Sequence, residues 1–135
     1  MNDGMGEFVA NKVVKLMIHK GLAIKDSKVL ILGITFKENC PDIRNTRIVD
    51  IRRELIEFGC KVDIVDPWTS TIEVKHEFGF DLAPTSTLLN IRNYQAIIIG
   101  VAHNEFEKIG VAKSPNQVVF DLKGKIPKDH IDGRL

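Results

Sequence analysis

Four short aliphatic segments, separated by stretches of helical periodicity, constrain the fold of this chain more than any other feature of its sequence. The segments are Lys28–Ile34, Lys61–Val65, Ala96–Val101 and Val118–Leu122. Their apolar residues are mostly continuous, which is typical of strands buried on both faces of a sheet. Because helical segments separate them, the sequence predicts an α/β fold: a three-layer α/β/α arrangement around a Rossmann-like parallel sheet.

The best-defined helical segment between these strands is Thr46–Phe58, which Gly59 follows as a C-terminal cap. Its apolar residues, Ile48, Ile51, Leu55 and Phe58, share one stripe of the predicted helix. Shorter helical segments are predicted at Thr71–Phe78, Ser86–Asn93 and Glu105–Ile109. Each of the first three strands is therefore followed by a segment that is able to cover the sheet.

A further helix is predicted before the first strand, from Met5 to Lys20, with Gly21 as its stop signal. It carries more apolar residues than a free terminal helix needs: Phe8, Val9, Val13, Leu16 and Met17. Two interpretations stay open from the residues alone. The helix packs on its own sheet, or it forms half of an interface with another chain or domain.

The charge balance and the cysteine content restrict the class of protein. The 135 residues include 19 Lys and Arg against 18 Asp and Glu, so the net charge is +1 and gives no bulk attraction for nucleic acid or an anionic membrane surface. No apolar run approaches the ~20 residues that span a bilayer, and the first residues lack a signal-peptide pattern. Cys40 and Cys60 lack metal-ligand spacing and indicate reduced thiols of a cytoplasmic protein.

The connection from Thr35 to Thr46 is the most informative part of the chain for function. It is longer than the usual two to six residues of a strand-to-helix loop, and it carries Lys37 and Arg44. The helix that follows holds Arg47 in its first turn, where free amides and cations favour a phosphate group. The loop therefore predicts a phosphorylated ligand, although charged loops are often simply solvated.

The same region lacks the pattern of an independent dinucleotide site. Gly33 stands alone where Gly-x-Gly-x-x-Gly would be needed, and Asp66, in the position of a ribose-binding acid, is interpreted as part of a turn.

Cys40 has only His103 as a plausible base, which favours a non-catalytic thiol and a capping or loop role for His103. The residues alone predict a binding domain, with no catalytic residue and no metal site.

The long loop, Gly33-Ile34-Thr35-Phe36-Lys37-Glu38-Asn39-Cys40-Pro41-Asp42-Ile43-Arg44-Asn45-Thr46, resembles the start of the C-terminal domain of the UDP-glucose/GDP-mannose dehydrogenase family. Its wording is most similar to the UDP-N-acetylmannosamine and UDP-N-acetylgalactosamine 6-dehydrogenase branch. Further resemblances to the family lie at Asn2-Asp3-Gly4-Met5-Gly6, Asp66-Pro67-Trp68, Ala102-His103-Asn104-Glu105-Phe106 and Asp121-Leu122-Lys123-Gly124. These ordered motifs extend over nearly the whole chain.

The resemblance implies a part of a larger enzyme. Full-length members oxidise the C6 alcohol of a nucleotide sugar to a carboxylate with NAD, in polysaccharide biosynthesis. This chain would be the UDP-sugar-binding domain, residues 22–135, preceded by the end of the central interdomain helix, residues 1–21. Without the NAD fingerprint and the family's catalytic Cys motif, the chain is expected to be inactive alone and to dimerise through its N-terminal helix.

The resemblance also assigns roles to individual residues. Phe36 and Lys37 match the pair that contacts the nucleotide sugar, and Lys123 stands where a phosphate-contacting Arg is common. Arg44 matches a residue on the cofactor side of the interdomain cleft. Two alternatives remain: a stand-alone binding module for a nucleotide or other phosphorylated ligand, and a dimerisation and scaffolding domain in which the loop charges form ion pairs between domains.

Overall fold

The computed structural model describes residues 4–135, so Asn2 and Asp3 of the N-terminal motif lie outside the described residues. The strands are β1 (Lys28–Leu32), β2 (Lys61–Val65), β3 (Ala96–Ile99), β4 (Val118–Asp121) and β5 (Gly133–Arg134); the α-helices are α1 (Met5–His19), α2 (Ile48–Glu57) and α3 (Thr71–Phe78). Short 3₁₀ helices occupy Thr85–Asn93, Asn104–Phe106 and Lys128–His130. Within residues 4–135 no helix combines the length and the apolarity that a bilayer crossing requires.

The five strands form one sheet in the order β2-β1-β3-β4-β5, and every neighbouring pair is parallel. The predicted fold class is therefore confirmed. The first strand is shorter than predicted, because Gly33 adopts a φ of 98° and turns the chain after Leu32. The sequence missed β5, whose two residues offer no aliphatic run.

Alternate residues of the strands supply two separate apolar cores, one on each face of the sheet. Val29, Ile31, Ile98 and Phe120 pack with α1 and α2 on one face; Leu30, Leu32, Ile97 and Val119 pack with Tyr94 and Phe106 on the other. The second face is covered largely by 3₁₀ helices rather than α-helices. Both faces of the parallel sheet are covered, as the continuous aliphatic strands require.

Most of the apolar stripe predicted for α2 is correct, because Ile48, Ile51 and Leu55 are buried. Phe58 was wrongly included, since its side chain is 42% exposed. The helix ends at Glu57, so Phe58 is the C-cap residue and lies beyond the part that faces the core. Gly59 follows with a φ of 99°, as the predicted cap requires.

Helix α1 packs on the sheet of its own domain, as the first of the two interpretations predicted. Its buried residues, Val9, Ala10, Val13, Val14 and Met17, belong to the same core as β1 and α2. These five residues are therefore covered by the chain's own core and are not available to an interface with another chain or domain. Phe8 and Ile18 remain 50% and 58% exposed.

Both ends of α1 are held in place by specific contacts. Near its start, Gly6 lies so close to α2 that a Cβ there would be 2.6 Å from the Cβ of Asp50. Just beyond its end, the Lys20 ammonium donates to the carbonyls of Ser114 and Gln117 and pairs with Asp132 at 2.8 Å. The helix is thus fixed between α2 and the β4–β5 edge of the sheet.

Candidate functional site

A cleft of about 750 Å³ lies beyond the carboxyl ends of the central strands. The chain goes from β1 to one neighbour, β2, and later returns to the other side of β1 as β3. In parallel sheets, ligands bind at such a switch point, where the loops diverge. The walls of the cleft come from the loop after β1, the start of α2, and the residues that follow β3 and β4.

Two glycines at the ends of β1 and β3 let these walls approach one another. A Cβ at Gly33 would lie 2.6 Å from the Cβ of Val101. A Cβ at Gly100 would lie 2.7 Å from the Ile48 side chain and 3.1 Å from the carbonyl oxygen of Gly33. Since side chains at these positions would collide with their neighbours, Gly33 permits the close approach of the loops after β1 and β3, and Gly100 permits the close approach of α2.

The long loop after β1 is ordered by its own contacts. The Phe36 N–H donates to the Asp42 carbonyl at 2.7 Å, which closes the loop on itself. Asn39 adopts a left-handed φ of 54°, its N–H donates to Nδ1 of His103 at 2.9 Å, and its side-chain oxygen accepts from the Asn104 N–H at 3.0 Å. The loop is thereby held against the residues that follow β3.

Asp66 and His103 form a buried polar centre beneath this loop. One carboxylate oxygen of Asp66 accepts from the backbone N–H groups of Ile34 and Thr35 at 2.7 and 3.1 Å, and lies 3.0 Å from Nε2 of His103. The other accepts from the Trp68 N–H at 2.7 Å. Burial alone would raise the pKa of Asp66, but these hydrogen bonds outweigh it, so the pKa lies below the usual range.

The contacts of His103 determine its tautomer. Because Nδ1 accepts from the Asn39 N–H, the ring proton resides on Nε2, which donates towards Asp66 and the Thr35 hydroxyl. The Thr35 hydroxyl in turn donates to the Lys37 carbonyl at 3.0 Å. His103 is completely buried and has the structural loop role that the sequence predicted.

The buried centre formed by Asp66 and His103 shows whether the turn after β1 fits NAD. A dinucleotide fold offers free amides after its first strand to a pyrophosphate and an acid after its second strand to a ribose. Here the amides of Ile34 and Thr35 already donate to Asp66, and Asp66 is buried. The residues of this turn therefore do not fit NAD, in agreement with the missing glycine fingerprint.

Cationic side chains outnumber acidic ones in the cleft lining within residues 4–135. The cationic side chains are Arg47, Arg53 and Lys123, and the acidic side chain is Asp50. Lys123 projects from the residues after β4, whereas Arg47 and Arg53 belong to the start and the second turn of α2. An anion in the cleft would thus be approached by positive side chains from two walls.

The structure places only some of the predicted site residues in this cleft. Phe36, half-exposed, and Lys123 both line it. Lys37 and Arg44 are exposed on the loop outside the lining. Arg44 pairs with Asp42, its Nε 3.1 Å from Oδ1, and the side-chain and backbone hydrogen bonds from Arg44 lower the pKa of Asp42.

Arg53 is a cleft residue that sequence reasoning did not single out. The helical repeat places it with Asp50 on the polar side of α2, opposite the buried stripe. That signal predicts an exposed side chain but does not indicate that this side of the helix borders a cleft. The neighbouring cleft wall comes from residues after β4, and its position depends on the strand order.

The cysteines form no site of their own. Cys60 is buried and accepts a hydrogen bond from the Ser27 hydroxyl at 3.3 Å, and burial raises the pKa of its thiol. Cys40 is a partly buried residue of the long loop. Within the part of the chain that the structure describes, no group of three or more His, Cys, Asp or Glu is placed to hold a metal ion.

A parallel sheet of this strand order, with a positive cleft at its switch point, defines a nucleotide-binding α/β domain of the doubly wound class. Residues 30–128 match the UDP binding domain of the UDP-glucose/GDP-mannose dehydrogenase family. The chain therefore belongs to that family.

Curated relatives align with the whole chain. It is 45% identical to a UDP-N-acetyl-D-glucosamine 6-dehydrogenase of Salmonella typhi and 41% identical to one of Pseudomonas aeruginosa, over 100% of its own length in each case. It spans only 32% of the length of either relative. The chain thus corresponds to about a third of these enzymes.

Solved structures show the same fold. The chain superimposes on NDP-N-acetyl-D-galactosaminuronic acid dehydrogenase from Methanosarcina mazei Go1 with a TM-score of 0.80 and 21% identity, covering 98% of this chain and 29% of that one. For a UDP-glucose dehydrogenase from Pyrobaculum islandicum the TM-score is 0.70 at 23% identity, with 94% and 28% covered.

Proposed function

We propose that this chain is the UDP-sugar-binding part of an NAD-dependent UDP-N-acetylhexosamine 6-dehydrogenase, a cytoplasmic enzyme that makes a UDP-sugar uronate for polysaccharide biosynthesis. The observation that carries the proposal is the positive cleft at the switch point of the sheet. The 45% identity to a UDP-N-acetyl-D-glucosamine 6-dehydrogenase supports the substrate class. NAD would be held mainly by a domain outside this chain, because the turn after β1 does not fit it.

The charges of the cleft suit the diphosphate of a UDP-sugar. In such a diester each phosphoryl group carries one negative charge, and the lining residues that the structure describes offer three cationic side chains against one acidic side chain. Lys123 approaches from the β4 side, and the half-exposed ring of Phe36 supplies an apolar wall for the base or the sugar. Charge and shape therefore both favour a nucleoside diphosphate over a neutral ligand.

Lys37 and Arg44 have a different place in the proposal. Both are exposed on the loop that borders the cleft, and the side chain of Arg44 is 80% exposed while it pairs with Asp42. We assign Lys37 to the sugar side of the bound substrate and Arg44 to a cofactor carried by a neighbouring domain. Such residues would acquire their ligand contacts only when the full enzyme closes the interdomain cleft.

Calorimetric titration with UDP tests the proposal on the chain as it stands, because its two apolar cores are complete within the described residues. We expect saturable binding, weakened about tenfold by Lys123→Gln through the loss of a charged hydrogen bond. Lys108→Gln, an equal charge change at an exposed residue outside the cleft, should leave the affinity unchanged.

The same titration separates this function from its alternatives. Absence of UDP binding by the unsubstituted chain would contradict the proposal and favour a scaffolding role. With NAD and a UDP-N-acetylhexosamine, the chain alone should form no NADH. Turnover under those conditions would show that the chain is a complete enzyme and would contradict its assignment as one part of a larger one.

A further inference from the structure

We propose that Arg53 of α2 makes a bidentate contact to the diphosphate of the UDP-sugar, and that Asp50 positions the Arg53 side chain. This inference rests on the proposed function and names a specificity residue within the same cleft. Neither residue belongs to the motifs that identify the family in this sequence. Both line the cleft, one helical turn apart on the side of α2 that faces away from the core.

The hydrogen bonds of Arg53 leave most of its guanidinium available. Its Nη2 donates to Oδ1 of Asp50 at 2.6 Å, and within residues 4–135 this is its one hydrogen bond. A guanidinium presents several N–H donors in a planar fork, so the remaining donors are open to a ligand. The side chain is 55% exposed, which leaves its outer edge accessible to an anion in the cleft.

Lys123 on the opposite wall does not provide this geometry. A lysine ammonium is a compact charge on a flexible stem, whereas an arginine fork donates two parallel hydrogen bonds to the oxygens of a phosphoryl group. The cleft thus combines a point charge after β4 with a fork on α2. A diphosphate between the two walls would be oriented by the Arg53 guanidinium, and Arg53 and Lys123 together would neutralise its charge.

Asp50 is held firmly enough to position the fork. The start of α1 packs against it, since a Cβ at Gly6 would lie 2.6 Å from the Asp50 Cβ and 2.9 Å from its carbonyl carbon. This contact fixes the backbone from which the Asp50 carboxylate reaches Arg53. The ion pair therefore limits the rotamers of Arg53 before a ligand arrives, which lowers the entropy lost on binding.

The test compares UDP binding by Arg53→Gln, Arg53→Lys and the unsubstituted chain in calorimetric titrations. Arg53→Gln should raise the Kd for UDP about tenfold or more. Arg53→Lys restores the charge without the fork and should stay at least about threefold weaker than the unsubstituted chain. Arg92→Gln is the matched control, because Arg92 is exposed on the 3₁₀ helix Thr85–Asn93 and lies outside the cleft.

The outcomes distinguish a failure of the role proposed for Arg53 from a failure of the proposed function. Unchanged affinity in Arg53→Gln, with UDP still bound by the unsubstituted chain, would overturn the role of Arg53 and leave the proposed function intact. Full affinity in Arg53→Lys would overturn the fork, because charge alone would then suffice. Absence of UDP binding in the unsubstituted chain would overturn both. Equal thermal midpoints by circular dichroism would show that the variants remain folded.

Discussion

Asp66 joins the ends of two strands to the loop that borders the cleft. Its carboxylate accepts from the backbone of Ile34, 32 positions earlier in the chain, and contacts His103, 37 positions later. Hydrogen bonds from several donors favour the charged form of this buried carboxylate. The residue that the sequence interpreted as part of a turn thus joins the residues that follow β1, β2 and β3.

We expect Asp66→Asn to lower the free energy of unfolding at pH 7 by about 2–3 kcal/mol, because an amide NH₂ would replace an oxygen that accepts from several donors. The folded-state pKa of Asp66 lies below its usual value of 3.8, so the contribution is complete above that value and is lost as the pH falls through the folded-state pKa.

Urea denaturation between pH 7 and pH 3 measures this effect. The stability difference between Asp66→Asn and the unsubstituted chain should shrink as the medium becomes more acidic than about pH 4. Asp129→Asn, at an exposed position, serves as the control and should follow the unsubstituted chain throughout. A difference that stays constant over this range would show that the charge of Asp66 contributes nothing to stability.

For individual residues, the sequence predicted which polar ones lie near the strand ends, but it did not predict which residues they contact. Phe36 and Lys123 were assigned to the nucleotide sugar, and both line the cleft. The ligand assignments of these two residues stay predictions, as do those of Lys37 and Arg44. The contact between Asp66 and the amides of Ile34 and Thr35 depends on β1 and β2 being neighbours, which no local pattern encodes.

At the scale of elements, the predicted bounds were most accurate for α3, the α-helix that has a side-chain cap at its start. Helix α3 begins and ends at the predicted residues, because the Ser70 hydroxyl accepts from the Glu73 N–H and Gly79 ends the helix with a φ of 85°. The strand β5 has neither signal and was missed. The helical segments predicted at Ser86–Asn93 and Glu105–Ile109 are the 3₁₀ helices Thr85–Asn93 and Asn104–Phe106 in the structure.

The contact between α1 and α2 connects the helix packing to the cleft. We expect Gly6→Ala to lower the free energy of unfolding by about 1–2 kcal/mol, since the new methyl group would meet the backbone of Asp50 and the gain in helix propensity is smaller. Because Asp50 and Arg53 move with α2, the same variant should also weaken UDP binding.

Chemical denaturation and UDP titration of this variant provide the two measurements. Gly110→Ala is a suitable control, because a Cβ at Gly110 would meet no atom within 4 Å. A stable Gly6→Ala with normal UDP affinity would show that α1 and α2 separate without cost. It would also show that the position of Asp50 does not depend on the helix contact.

At the scale of the whole molecule, the near-neutral net charge of +1 conceals an uneven distribution. Among residues 4–135, three cationic side chains and one acidic side chain line the cleft, whereas Glu54 and Glu57 on α2 are close enough that their shared hydrogen bond raises the pKa of Glu54. The near-neutral composition therefore predicted no strong electrostatic field over the molecule as a whole. The electrostatic field in the cleft depends on the strand order, which brings the residues after β4 close to the start of α2.

The packing of α1 changes what a homodimer of this chain would require. Five apolar residues of the helix are already buried in the chain's own core, so Phe8 and Ile18 are the exposed apolar side chains that α1 offers. A dimer formed through this helix would be centred on Phe8, whose ring also lies 5.5 Å from the Lys12 ammonium. Such a small apolar surface gives a weak, concentration-dependent association rather than a permanent one.

Sedimentation velocity over a range of concentrations tests this dimer. The unsubstituted chain should shift towards a dimer as the concentration rises, and Phe8→Asp should remain monomeric, because a charge at the centre of the interface would be desolvated without a partner. Leu89→Asp introduces the same charge at an 86% exposed leucine on the other face of the sheet and should associate normally. A strict monomer at the highest concentration, or equal association of Phe8→Asp and the unsubstituted chain, would remove α1 as the dimer contact.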